Sequence, residues 1–290
     1  MQMTFRELFE DVQPGVREGD IRKFATDSLT ASEEMGHPKY QGLSFEATAE
    51  AEAVVMFLDI RGFTSLSLEL DNEELARILQ KLTRASVRAI KQFGGYVGEF
   101  TGDGVMAYFD SLDGPFAALQ TASFLMAGVR EVVNPALKRD GDTGVKVAVG
   151  MEYGTVLWTR IGVGTLSTVK PISEVTFVAG KLSTRGFANP WECRVGEQLA
   201  VAVPDEFKKR VSGYPYKAQG IPATYGVFAF DWEKFVRAEM GGLEPLRRSV
   251  LAKRLSPRVR LVEGVGSAAV VSHPAGPPDP PRPPRSRQVG

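Results

Sequence analysis

The sequence predicts an α+β fold whose strands and helices follow one another in the ferredoxin-like order βαββαβ. Two observations favour this order. Short apolar runs with the character of strands alternate with longer stretches of helical period, and glycine-containing turns separate them. All the strong patterns fall between about residues 52 and 237 of the 290-residue chain.

The first half of this region predicts a strand, a helix and a hairpin. Residues 53–59 are an apolar run ending in an acid, which is typical of a buried strand. Apolar residues at helical spacing predict a helix over residues 71–93, which has an acidic N-cap and a glycine pair after it. Residues 96–100 and 105–109 flank a glycine-rich turn and are predicted to pair as a β-hairpin.

The second half predicts a helix, a strand pair and a further helix. Apolar residues over 116–132 have the helical period, and residues 145–160 alternate like two strands that turn at Gly154. Residues 175–178 form a short apolar run, and a helical stretch follows it through Arg185. These elements complete the βαββαβ order.

Flanking segments differ in texture from this central domain, which we place at residues 51–237. Residues 1–50 form an N-terminal segment with apolar residues at helical spacing, and residues 238–272 form a C-terminal extension. Residues 273–290 are rich in proline, which lacks an amide donor, and predict a flexible tail. A docking peptide for a proline-binding partner is the alternative interpretation of the tail.

Composition excludes several classes of protein. The 35 basic and 35 acidic residues balance, whereas a general nucleic-acid-binding protein has a basic excess. Cys193 is the single cysteine and His37 and His273 are the two histidines, so neither a disulfide framework nor a zinc site of Cys and His ligands is expected. The sequence shows neither a signal peptide nor an apolar run long enough to span a bilayer, so we expect no membrane anchor and a cytoplasmic location.

Two acids stand at the ends of predicted strands. Asp59 closes the first apolar run, and Asp103 lies between Gly102 and Gly104 in the hairpin turn. If the first strand lies beside the hairpin, both carboxylates project from one edge of the sheet, which is costly unless a cation joins them. Oxygen ligands without His or Cys favour Mg²⁺ or Mn²⁺. Taken alone, Asp103 is also explained by turn chemistry.

The segment Phe57–Thr64, followed some forty residues later by Gly102–Gly104, resembles the class III nucleotide cyclases. Those enzymes convert nucleoside triphosphates to 3′,5′-cyclic monophosphates and release pyrophosphate. The resemblance covers about residues 50–230 and includes Val147–Val156. It also includes Gln219–Pro222, where Gln219 replaces the usual lysine. It implies a class III cyclase catalytic domain with an extra C-terminal hairpin.

This resemblance also implies a metal and phosphate site. By the family pattern Asp59, the carbonyl of Ile60 and Asp103 hold two divalent cations, Mn²⁺ or Mg²⁺. In the two-metal mechanism that this implies, the cations activate the ribose 3′-hydroxyl of a nucleoside triphosphate substrate and neutralise its triphosphate. Phe63 and Thr64 are expected to offer backbone amides to the phosphates.

The family builds its site between two cyclase domains, so a single copy implies a head-to-tail homodimer with sites at the interface. The stretch from Glu174 to Arg185 is similar to the family segment that contacts substrate. It places Arg185 as the catalytic arginine, Lys181 where the family has a ribose-positioning asparagine, and Glu174 among the substrate-binding residues. Phe177 and Val178 depart from the family pattern, which has glycine followed by Asp or Asn. The alternative for Lys181 is a solvated helix residue.

Glu99, four residues before Asp103, is the candidate base-reading residue. An ionised carboxylate only accepts hydrogen bonds, so it disfavours adenine, whose N1 is an acceptor. Guanine offers N1–H beside O6, and uracil offers N3–H between two carbonyls. Glu99 with a nearby cation such as Lys181 therefore fits guanine or uracil, and cytosine less well. The alternative is that Glu99 is an exposed strand residue.

With these departures from the family pattern, the sequence resembles the bacterial pyrimidine cyclases of Pycsar antiphage systems. By that resemblance the protein is a UTP-preferring cyclase whose product activates a separate effector in antiviral defence. A guanylate cyclase in ordinary signalling is the second hypothesis. A degenerate domain that binds a nucleotide without activity is the third, and the retention of Asp59, Asp103 and Arg185 counts against it.

Overall fold

The computed structural model describes residues 35–184, 189–213, 221–222 and 224–239. The expected N-terminal helix, the position of Arg185, the Gln219–Gly220 pair and the proline-rich tail lie outside the described residues. All residues that the structure describes belong to one compact unit.

Strands and helices follow one another in an α+β order. In chain order the elements are β1 (Thr48–Ile60), α1 (Phe63–Glu69), α2 (Asn72–Gln92), β2 (Tyr96–Phe100), β3 (Gly104–Phe109), α3 (Gly114–Gly128), a π-helical turn (Val129–Val133), α4 (Asn134–Arg139), β4 (Val147–Val163), β5 (Leu166–Ile172), α5 (Glu174–Thr184), β6 (Cys193–Gly196), α6 (Glu197–Ala202), α7 (Asp205–Lys208), β7 (Val211–Gly213), β8 (Val227–Phe230) and α8 (Trp232–Glu239).

Within the described residues the strands form a single sheet centred on β1. Its order is β2-β3-β1-β4-β6-β8-β7, and β5 pairs with the outer part of β4. β1 is antiparallel to both β3 and β4, whereas β6 runs parallel to β4. The end of β1 and the start of β3 therefore meet at one edge of the sheet, as the two-acid hypothesis requires.

The sequence signals of α2 are confirmed. The side chain of Asp71 accepts a hydrogen bond from the Glu74 amide at 2.8 Å, so it caps the helix as predicted. Glu73 adds a further acid to the first turn, where it complements the helix dipole. The chain leaves the helix through Gly94, whose φ of 80° is a left-handed conformation that favours glycine.

Three predicted elements differ in the structure. The predicted turn at Gly154 is wrong, because Gly154 continues β4 opposite Ala53 and the chain reverses only near Gly164, whose φ is 52°. The helical stretch expected after residues 175–178 begins earlier, because α5 starts at Glu174 and includes that apolar run. The helix predicted over 116–132 ends earlier, because the backbone widens into the π-helical turn before α4 begins.

The sheet has two covered faces, which we name after the helices on them. On the α2 face, alternate residues of β1 such as Met56 and Leu58 pack with α2, α3 and α4 in the larger apolar core. On the α5 face, the intervening residues such as Val55 and Phe57 contribute to a smaller cluster under α5. The side chain of Asp59 continues this second series.

An aromatic cluster fills the part of the α5 face farther from Asp59, beneath the segment of residues 35–47. His37 is buried, and its Nε2 lies 2.9 Å from Oδ2 of Asp110. Tyr40 stacks on Trp158 with ring centroids 4.9 Å apart, and Tyr108 meets the same indole edge-on at 4.7 Å. The cluster holds these three rings in fixed positions.

None of the helices in the described ranges combines the length and apolar character needed to cross a membrane.

Candidate active site

The two acids meet where β1 ends and β3 begins. Asp59 lies opposite Gly104, the first residue of β3. A Cβ atom at Gly104 would lie 2.4 Å from the carbonyl oxygen of Leu58, so a larger residue would push the hairpin away from β1. This close approach brings the carboxyl groups of Asp59 and Asp103 near enough to interact.

The pKa of Asp59 is shifted because this carboxyl group is partly buried and lies near a second acid. Burial and the neighbouring charge of Asp103 raise the pKa of Asp59 to about 7, while Arg61 acts in the opposite direction. Nη1 of Arg61 lies 3.6 Å from Oδ2 of Asp59. The carboxylate pair is therefore a site that a bound cation would stabilise.

Donor chemistry at the pair suits a divalent cation that prefers oxygen. Asp59 and Asp103 supply carboxylate oxygens, and the carbonyl of Ile60 is adjacent in the chain. Cys193 is buried in the core of the α2 face, and His37 is paired with Asp110, so neither competes as a ligand. No group of three or more His, Cys, Asp and Glu side chains suited to a metal occurs in the part of the chain that the structure describes.

A cavity of about 600 Å³ opens beside the two acids on the α5 face. Its charged lining residues are Glu99 from β2, Lys170 from β5 and Lys181 from α5, together with Asp59 and Asp103. Its apolar lining includes Phe57, Met106, Ile161 and Phe177. The volume and the mixture of apolar walls with a few charged groups are those of a small-molecule site.

Phe63, Thr64 and Glu174, which the sequence also predicted, do not line this cavity. Phe63 begins α1 and packs against the core of the α2 face, while Thr64 is exposed beside it. Glu174 is exposed at the first residue of α5. The structure thus brings Asp59, Asp103, Glu99 and Lys181 together in the lining of one cavity, which does not include Phe63, Thr64 or Glu174.

Sequence reasoning missed Lys170. Its ammonium group forms an ion pair with the carboxylate of Glu99, in the position for which Lys181 was the expected cation. Lys181 lines the same cavity from α5. The alternating pattern Val169-Lys170-Pro171 was the available signal, but its meaning depended on locating β5.

Arg61 is a second residue that the sequence did not single out. Besides facing Asp59, its Nη1 donates hydrogen bonds to the carbonyl oxygens of Ser183 at 3.0 Å and Thr184 at 2.8 Å. These are the last carbonyls of α5, where cations bind favourably to a helix. Gly150 lets α5 lie close to β4, because a Cβ there would stand 2.4 Å from the carbonyl oxygen of Ala179. The end of α5 is thereby held beside the two acids.

Comparison with known proteins shows what this chain is similar to. Residues 45–167 match the profile of the adenylate and guanylate cyclase catalytic domain. The chain is 26% identical over 166 residues to a cytidylate cyclase of Escherichia coli, 26% over 196 residues to an adenylate cyclase of Anabaena cylindrica, and 29% over 140 residues to a uridylate cyclase of Rhodovulum sp. (strain MB263). These alignments cover 53%, 65% and 46% of this chain. They span only 36%, 38% and 58% of the three relatives.

Solved structures share the fold. The adenylyl cyclase CyaB from P. aeruginosa superimposes with a TM-score of 0.56 at 21% identity, over 63% of this chain and 95% of that one. The guanylyl cyclase Cya2 gives a TM-score of 0.55 at 20% identity, over 63% and 92%. The α+β fold of a class III cyclase catalytic domain, expected from the sequence, is confirmed, and residues 45–167 carry the sequence match to the adenylate and guanylate cyclase catalytic domain.

Proposed function

We propose that this protein cyclises a nucleoside triphosphate to its 3′,5′-cyclic monophosphate and releases pyrophosphate, with UTP as the preferred substrate. The observation that carries the proposal is one cavity lined both by Asp59 and Asp103 and by the Glu99–Lys170 ion pair. The first pair suits cations and phosphates, and the second presents an acceptor and a donor to a base. A non-catalytic binding domain would not need both.

Asp59, the Ile60 carbonyl and Asp103 would hold the divalent cations, Mn²⁺ or Mg²⁺. When bound, such cations neutralise the triphosphate and make the ribose 3′-hydroxyl a better nucleophile. The chain's own part is to keep the two carboxylates adjacent, through the close approach of Gly104 to Leu58. Phe63 and Thr64 would add backbone amides from the start of α1.

Glu99 and Lys170 would read the base. The carboxylate of Glu99 accepts hydrogen bonds and the ammonium of Lys170 only donates them. Uracil matches both through N3–H and an adjacent carbonyl oxygen. Guanine presents a similar edge through N1–H and O6, so guanylate cyclase activity is the second candidate. The likeness to cytidylate and uridylate cyclases supports a pyrimidine.

We further propose that two copies associate head to tail, so that each cavity receives residues from both subunits. Exposed apolar side chains around the cavity and along the β4–β5 hairpin support this arrangement, including Phe177 at 67%, Val163 at 81% and Leu166 at 86% exposure. Arg185 would then stabilise charge on the reacting phosphate of the partner's site, and Lys181 and Glu174 would contact substrate. A guanidinium suits that role because it stays charged.

Subunit mixing tests the shared site. Asp103→Ala and Arg185→Ala chains, each inactive alone, should regain activity when mixed, because one of the two sites then combines intact halves. Subunit exchange is verified separately with differently tagged chains. Exchange without recovered activity would place the whole site within one subunit.

By its resemblance to the Pycsar cyclases, we propose that the cyclic nucleotide activates a separate effector in antiviral defence. Co-expression with candidate effectors during phage infection tests this role. Protection that depends on Asp103 supports it, and protection retained by Asp103→Ala contradicts it.

Incubation with each of the four nucleoside triphosphates and Mn²⁺, followed by mass analysis of products, tests the reaction and the base. Glu99→Gln and Lys170→Met should each reduce the preference for UTP about 5- to 150-fold, since an unmatched buried polar group costs about 1–3 kcal/mol. Lys138→Gln, at an exposed position of α4, is the control and should keep the wild-type preference. Product from GTP alone would favour the second candidate, and no cyclic product from any triphosphate would exclude both.

A further inference from the structure

The pairing of β2 with β3 contains an irregularity beside the cavity. Tyr96 lies opposite Tyr108 and Val97 opposite Ala107, but the next pair is Glu99 with Met106. Gly98 is therefore an extra residue in β2, which is the arrangement of a β-bulge.

This extra residue decides which face Glu99 occupies. Residues opposite each other in an antiparallel pair project on the same face. Met106 and Tyr108 belong to the cluster of the α5 face, whereas Val105 and Ala107 belong to the core of the α2 face. A regular ladder would continue from Val97 to place Glu99 opposite Val105, with its carboxylate turned towards the apolar core. The bulge places Glu99 on the cavity side instead.

Tyr108 accounts for the glycine at the bulge. A Cβ at position 98 would lie 2.5 Å from Cζ and Oη of Tyr108 and 2.6 Å from Cε2. The Tyr108 ring is only 1% exposed and is packed edge-on against Trp158, so it has no space to retreat. A side chain at position 98 and this bulge are therefore incompatible while the ring is present.

We propose that Gly98 is a positioning residue for base selection: the bulge it permits against Tyr108 aims Glu99 at Lys170 and into the cavity. This inference rests on the proposed function for its effect on catalysis. The aiming of Glu99 itself is independent of any activity, which allows the two to be tested apart.

The first measurement requires no turnover. A carbodiimide joins a carboxylate to an amine in direct contact, so the wild-type protein should give a Glu99–Lys170 cross-linked peptide in mass spectrometry. Gly98→Ala should lower its yield about fivefold or more, because the displaced bulge turns Glu99 away. Lys170→Met is the control and removes the peptide entirely. Absence of this cross-link in the wild type would overturn the inference without any variant.

Rescue separates positioning from a general loss of structure. Gly98→Ala/Tyr108→Leu should recover the cross-link, because leucine lacks the Cζ, Cε2 and Oη atoms that the new Cβ would meet. Gly98→Ala/Tyr108→Phe keeps the ring and should not recover it. Each double variant is compared with its Tyr108 single variant, and circular dichroism monitors folding. Equal recovery by both double variants would contradict the role assigned to the ring.

Base preference is the catalytic readout. Gly98→Ala should reduce the ratio of kcat/KM for the preferred triphosphate over the others about tenfold, with recovery in the leucine double variant alone. An unchanged ratio together with a lost cross-link would mean that Glu99 does not read the base, which contradicts the proposed function. An unchanged cross-link in Gly98→Ala would overturn the present inference and leave the proposed function intact.

Discussion

The α2 face and the α5 face of the same sheet bury different kinds of groups. The α2 face packs several helices, among them α2, α3 and α4, against apolar residues of β1 and β4, including Met56, Leu58 and Val149. The α5 face combines a smaller apolar cluster with a charged cavity that contains Asp59 and Glu99. Alternate residues of one strand thus serve two purposes. Stability should depend chiefly on the first face, and chemistry on the second.

The largest expected effect is a loss of activity without a loss of stability, on changing the pair of Asp59 and Asp103. Asp103→Asn should lower kcat/KM about a thousandfold, since a lost cation ligand removes several kcal/mol of charge stabilisation. The free energy of unfolding in metal-free buffer should stay the same or rise, because one of two neighbouring carboxylates is neutralised.

Steady-state kinetics and urea unfolding measure the two quantities for Asp103→Asn. Asp205→Asn, at an acid that is exposed on α7, is the control and should change neither. A marked fall in the stability of Asp103→Asn would show that the acid pair also supports the fold, and would break the comparison between the faces.

On the α2 face we expect the opposite result, a loss of stability without a loss of activity. Leu125 in α3 is fully buried, and Leu125→Ala should cost about 2–5 kcal/mol of unfolding free energy through lost contacts and a residual cavity. Activity per folded molecule should be unchanged, because α3 does not line the cavity. Leu112→Ala, at a fully exposed position, should shift stability by less than about 0.5 kcal/mol. Denaturant unfolding and active-site titration check both variants.

The smallest expected effect is a pH dependence of stability that arises from Asp142, which pairs with residues of α2. Burial tends to raise the pKa of Asp142, but hydrogen bonds and charge from Arg77, at 2.8 and 2.9 Å, and the charge of Lys81 lower it below its ordinary value of 3.8. A lowered native pKa stabilises the fold at pH values above the ordinary one. That contribution declines as the pH falls through the native pKa.

Wild-type protein should therefore lose more stability than Asp142→Asn between about pH 5 and pH 2. Thermal unfolding followed across this range measures the difference. Asp205→Asn removes an exposed pair with Lys208 and should have a smaller effect. Parallel curves for wild type and Asp142→Asn would show that this ion-pair group adds nothing to the α2 side.

Local signals were enough to predict part of the candidate site, and they failed where the site depends on distant pairing. Asp59 and Asp103 each lie in a short motif, and their meeting required only that the first strand lie beside the β2–β3 hairpin, which it does. Lys170 was missed because the predicted turn at Gly154 displaced the outer strand pair, leaving residues 166–172 without an assigned element. Only the observed reversal near Gly164 brings β5 into the sheet.

Gly98 shows a finer limit of the same kind. A strand over residues 96–100 was predicted and is observed, but strict alternation within it places Glu99 on the α2 face. The bulge reverses that assignment, and its cause is a contact with Tyr108 across the hairpin. A side chain's face therefore depends on packing that the residue pattern of one strand does not contain.

The guanidinium of Arg61 gives the cavity a property beyond its shape. One group contacts Asp59 and the terminal carbonyls of α5 at Ser183 and Thr184, so displacement of either end changes the energy of the other. A ligand that interacts with Asp59 and a ligand that moves the end of α5 then both change the contacts of the Arg61 guanidinium. Thermodynamic reciprocity requires each to change the affinity of the other by the same factor, whichever binds first.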